Sequence, residues 1–76
     1  MKLHTVGPNQ TQLSLANGVE LFFSYNTPVA AFIPEMGFVK TDKHYSVTTS
    51  KHINQWTSRT ERVVPQKLLD DIANSN

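Results

Sequence analysis

A chain of 76 residues with a net charge of +1 has room for one hydrophobic core and no second domain. It contains no cysteine, which excludes a disulfide framework and a thiolate metal site and suits a reducing cytosol. The near-neutral charge does not point to nucleic acid or membrane, no apolar run approaches the roughly 18 residues of a membrane span, and no charged-then-apolar leader opens the sequence. The hydrophobic share is 38%, with eight Thr, six Ser and six Asn filling the gap. A chain this short buries only about 60% of its unfolded surface. Its stability is expected on the order of 4–11 kcal/mol.

In chain order, Met1 to Pro8 offers an edge strand through Lys2 to Val6. Thr11 to Ala16 and Val19 to Tyr25 then flank Asn17-Gly18, the strongest short hairpin signal. Parity selects the register. A two-residue loop places Leu13 and Leu15 on the face of Glu20. A three-residue loop, Ala16-Asn17-Gly18, pairs Leu15 with Val19 and Leu13 with Leu21. That register gathers Leu13, Leu15, Val19, Leu21 and Phe23 on one face. A slip of one residue reverses every side chain, so the three-residue loop is preferred, with Gly18 left-handed in a bulge. Phe22 then lies on the opposite face, a hint that this face is also covered.

Tyr25-Asn26-Thr27-Pro28 reads as a turn or strand break. Val29 to Ile33 is a third strand, Pro34-Glu35-Met36-Gly37 a tight turn, and Phe38 to Thr41 a fourth strand. After Asp42-Lys43, the alternation of Tyr45 and Val47 reads as a fifth strand from His44 to Thr48. Thr48, Thr49 and Ser50 are N-cap residues for a helix from Lys51 to Arg59, with Ile53 and Trp56 sharing a face. Thr60 to Val64 is a connection. Pro65 fits the first position of a second helix running to about Asn74, with Leu68, Leu69 and Ile72 as its stripe. Asp70 and Asp71 near its C-terminal end oppose the helix dipole, so this helix needs a docking partner. The fold class is α+β: an antiparallel meander of four to five strands followed by two short helices, in one domain over residues 1–76.

Three groups of residues bear on function. Thr48-Thr49-Ser50-Lys51-His52 places hydroxyls and a cation at a helix start, where a phosphate or carboxylate can sit. Plain N-capping needs only one of those hydroxyls and is the commoner use. No glycine-rich loop accompanies it, so it is not a Walker motif. The second group lies between Lys40 and Arg62. Five cations (Lys40, Lys43, Lys51, Arg59, Arg62) face two acids (Asp42, Glu61), with His44, Tyr45, His52 and Trp56 interleaved. A local +3 beside aromatic rings suits single-stranded nucleic acid or an acidic protein surface. Against this, Trp56 and Tyr45 fit the core, which in so small a chain needs a large side chain, Trp56 above all, and the cations then form a solvated face. The third group is His4, His44 and His52, whose spacing is not that of a metal site. Neither a nucleophile elbow nor a paired-carboxylate motif is present, and a chain of this size leaves little room for an enclosed pocket. The segment Pro65 to Asn74 carries two acids against Lys67, so it is a poor recognition helix. The expectation is a non-enzyme without a cofactor.

The stretch Asn17-Gly18-Val19-Glu20-Leu21-Phe22-Phe23-Ser24-Tyr25, then Thr27-Pro28-Val29-Ala30-Ala31, then Tyr45 to Trp56, resembles small uncharacterised proteins encoded in tailed-phage genomes. The resemblance covers about residues 12–56 and leaves out the second helix, which reads as particular to this chain. It implies a phage setting and expression in the cytoplasm of a bacterial host, and it assigns no functional residue. The expected role is an accessory protein that binds a macromolecular partner, such as a host protein it inhibits or redirects. Nucleic acid, a small anionic ligand, a place in the virion and a second copy of the chain are the alternatives, and no membrane partner is expected.

Overall fold

The computed structural model describes residues 2–74. Met1 lies outside them. Six strands form one sheet in chain order: β1 (Lys2–Gly7), β2 (Gln10–Ser14), β3 (Glu20–Ser24), β4 (Thr27–Ile33), β5 (Gly37–Thr41) and β6 (Val63–Val64). The first five make an antiparallel meander. The fold is α+β as expected, with one strand more than the sequence suggested.

The β2–β3 hairpin adopts the preferred register. Leu13 pairs with Leu21, the Leu15 N–H donates to Val19 O at 2.9 Å, and Gly18 has φ +85. Only a residue without Cβ enters that region cheaply. In β4 the register against β3 shifts at Phe22/Phe23, so Val29 is an extra residue in a bulge. Thr27 begins this ladder opposite Ser24, two residues earlier than the sequence pattern places the strand.

The segment after β5 departs from expectation. His44 to Thr48 is not a strand. Residues 44–46 are irregular and α1 (Val47–Thr57) begins inside the expected strand. The reason is Ser46, extended at φ −165, whose Oγ accepts the Thr49 N–H at 3.0 Å. This is the N-cap, so Thr48, Thr49 and Ser50 lie within the helix rather than capping it. Ser58 closes α1 in the left-handed conformation (φ 55). The chain then crosses the sheet, and Val63–Val64, expected as connection, pairs parallel with β5. A parallel neighbour demands such a crossover. Pro65 precedes α2 (Gln66–Asn74) and its carbonyl accepts the Leu68 N–H.

The helices occupy opposite faces of the sheet. Successive strand residues point to opposite sides. Phe22, Val29 and Ala30 pack with Ile53 of α1, and Trp56 adds to them. Leu21, Ala31 and Val39 pack with Val64 and with Leu69 of α2. The hint from Phe22 is therefore borne out: it is fully buried. Leu69 carries the α2 stripe, whereas Leu68 is 37% exposed. The second helix does dock, and its charged end gains a Lys67–Asp71 ion pair at 3.0 Å.

Candidate interaction surface

The basic group is split by the fold into an outer cationic flank and an inner packed set. Lys40 lies on β5 on the α1 side, since it is paired with Ala30. Lys40, Lys43, His44, Ser50 and Asn54 line one open hollow of about 280 Å³ between β5 and α1, with Ile53 and Asp42. Asn54 also lines the next hollow along α1, with Lys51, Gln55 and Arg59. Arg62 is exposed on the run into β6, and its carbonyl accepts the Lys40 N–H at 3.0 Å. The sole ion pair among the described residues is Lys67–Asp71, so none of these five cations is ion-paired among them. Asp42 shares the first hollow with Lys40 and Lys43 but forms no ion pair with them. Its Oδ1 accepts the Gln66 N–H at the start of α2, at 3.2 Å, where a negative charge is favoured.

Of the interleaved rings, His44 lines the first hollow, whereas Trp56 and Tyr45 line neither. Trp56 is half-buried. It stacks on Phe22 at 5.0 Å and 13°, meets Phe38 edge-on at 5.3 Å, and its Nε1 donates to Gln12 Oε1 at 3.0 Å. It packs against the core on the α1 side and keeps part of its surface exposed. Tyr45 is 44% exposed, so it is not core. Its phenol is pushed above the ordinary value by partial burial, then by the carboxylates of Asp70 and Asp42. Asp70 and Asp42 are thus the charges that act on it.

In the expected anion site at Thr48 to His52, several polar groups are already engaged. Ser46 already takes the Thr49 N–H. Thr49 is buried, and its hydroxyl lies 3.1 Å from Ser24 Oγ. His52 is half-buried, with Nδ1 3.2 Å from the same Ser24 oxygen. Ser50, 3.4 Å from His44 Nδ1, and Lys51 line the flank, and Thr48 is exposed.

Ser24 and His52 have the separation of a nucleophile and its base, a pair that sequence reasoning misses because 28 positions part them. Ser24 is only 2% exposed, shares its hydroxyl with Thr49 and lines none of the hollows described. The pair is a buried polar tie between β3 and α1. Among the described residues no three His, Asp or Glu side chains gather to hold a metal. No described helix is long and apolar enough to cross a membrane.

No curated protein and no solved structure gives a significant match to the chain. The model of a family of unknown function, DUF8033, matches residues 1–71. The match runs well into α2, so that helix is a family feature and not particular to this chain. The protein belongs to the DUF8033 family.

Proposed function

We propose that this DUF8033 protein is a phage-encoded accessory protein that works without catalysis, by binding an acidic surface of a host protein. The observation that carries this reading is the cationic flank: Lys40, Lys43, Lys51, Arg59 and Arg62 have no ion-pair partner among the described residues. Unpaired charges of one sign on a rigid support steer an oppositely charged partner and set its register. Both hollows of the flank rest on α1, which the aromatic packing of Trp56 fixes to the sheet.

Nucleic acid is the second reading, and it rests on the same cations. Single-strand binders add rings on which bases stack. Here Trp56 is consumed by Phe22 and Phe38, and Tyr45 stands near Asp42 and Asp70. That difference favours a protein partner.

The test is a pull-down from nuclease-treated host lysate with the tagged protein and its Lys51→Glu/Arg59→Glu double variant. One stoichiometric protein should be retained by the wild type and lost by the variant. Both residues are exposed, so the variant's stability should stay within about 0.5 kcal/mol of wild type. Recovery of nuclease- and salt-sensitive material alone moves the assignment to nucleic acid. Equal retention by the variant overturns the surface.

A further inference from the structure

β1 is the one long free edge of the sheet among the described residues. β6, at the other end, has two residues and runs parallel to its neighbour. Edges of this kind are commonly blunted by proline or charge. β1 opens with one charge, Lys2; the stretch Leu3-His4-Thr5-Val6 that follows carries neither proline nor acid, and Leu3 is 67% and Val6 44% exposed.

The hydrogen-bond parity of the edge follows from the hairpin. The Leu15 N–H donates to Val19 O, so Leu15, Leu13 and Thr11 turn their backbone polar groups toward β3. Ser14 and Gln12 turn theirs toward β1. Residues opposite one another in an antiparallel pair alternate together. Ser14 is opposite Lys2 and Gln12 opposite His4, in a register regular through Thr5. Lys2 and His4 thus bond to β2, and Leu3 and Thr5 direct N–H and C=O outward, where no strand lies.

We infer that this edge pairs with the same edge of a second copy, antiparallel, about a two-fold axis at His4. The pattern is its own complement. Leu3 meets Thr5 of the copy as a hydrogen-bonded pair, and Thr5 meets Leu3 of the copy, giving four new backbone bonds. A two-fold contact requires this reciprocity. On the side chains' account, Leu3 is opposite Leu13 and so lies on the α2 face. The two Leu3 residues become diagonal neighbours, a separation at which long side chains touch. Leu3, Leu13 and Phe23 already wall an open hollow of about 280 Å³, with Thr11, Tyr25 and Asn26. The two hollows join across the axis into one apolar band. No acidic group lies on β1 to select an unlike partner. The edge is short, below the standard of about 800 Å² per partner, which places the dimer in the weak class with Kd on the order of 0.1 mM.

Sedimentation equilibrium from about 10 µM to about 1 mM tests this, a range that brackets the expected Kd. The mass should rise toward that of two chains across it. Thr5→Pro is the discriminating variant. It removes an outward N–H and leaves the β1–β2 bonds in place, a position where edge proline is tolerated. It should weaken association by roughly tenfold or more, through two lost donors per dimer, with an unchanged unfolding midpoint. Leu3→Lys should act in the same direction, independently of any effect of proline on folding. The Lys51→Glu/Arg59→Glu variant should associate as wild type does, which separates this inference from the cationic flank. A wild type that stays monomeric to about 1 mM, or a folded Thr5→Pro variant that associates equally, overturns the pairing.

Discussion

The two faces of the sheet are held by different chemistry. On the α1 face the contacts are aromatic: Phe22 against Trp56, Phe38 against Trp56, and Phe32 edge-on to Phe38 at 5.1 Å. Gln12 and the Ser24–Thr49–His52 cluster fix the helix over them. On the α2 face the contacts are aliphatic, and one side chain supplies the polar tie. Gln66 Oε1 accepts the Thr41 hydroxyl at 2.6 Å, and its Nε2 donates to Pro28 O at 2.8 Å and to Asp70 Oδ1 at 2.9 Å. The covering differs in extent as well. α2 packs chiefly over β4, and Leu13, Phe23 and Ile33 are left half-buried. The difference teaches that a sheet this small is covered incompletely on both sides. The α1 side adds exposed charge beside its half-covered rings, and the α2 side keeps apolar surface toward the free edge.

Removing the largest fully buried side chain breaks the comparison most severely. Phe22→Ala deletes a fully buried ring and the stack on Trp56. The expected cost is about 3–5 kcal/mol, comparable with the whole stability of a domain of this length, so urea unfolding should find the variant largely unfolded. Leu69→Ala empties a fully buried site on the aliphatic face, with an expected loss of about 2–5 kcal/mol. Because α2 is the last element and touches mainly β4, its effect should be local. Amide exchange should accelerate in α2 while the Leu13–Leu21 ladder stays protected. Equal acceleration in both regions would show that the two faces unfold as one unit.

The smallest effect concerns Tyr45 and alkaline pH. Its pKa is raised in the folded chain by burial, then by Asp70 and Asp42. An acid whose folded pKa is raised is ionised more easily when unfolded. Its contribution is therefore present below the ordinary tyrosine pKa of about 10 and is lost as pH rises through and beyond that value. Tyr45→Phe should flatten this part of the stability–pH curve slightly, since nearly half of the residue is exposed. A wild-type curve no steeper than that of the variant would remove Tyr45 from the balance.

Local chemistry made the hairpin legible. Asn17-Gly18 and the alternation around it determined the loop, the register and the two-sided burial of Leu21 and Phe22. What failed was nonlocal or degenerate. Four hydroxyl residues between Ser46 and Ser50 are all plausible caps by type, and only backbone geometry selects Ser46. Two alternating residues, Tyr45 and Val47, are too few to tell a strand from the start of a helix. Val63-Val64 gave no signal because its partner strand lies more than 20 positions away. Part of the candidate site was readable as a run of cations. Its rings were not separable from the core by type, since Trp56 serves packing as well as it would serve binding. The Gln66 and Ser24 ties join residues 25 or more positions apart, beyond the reach of periodicity.

The parallel strand also bears on the order of assembly. Each turn of the meander joins neighbours in sequence, whereas β6 reaches β5 only after residues 42–62 have crossed the sheet. Closing that connection costs about 2 kcal/mol more in chain entropy than closing a three-residue turn. The meander can thus form on local contacts while the crossover is still open. α2 follows β6 directly, so the helix is placed by the strand before it. The aliphatic half of the core is the late half, completed by the last dozen residues of the described chain.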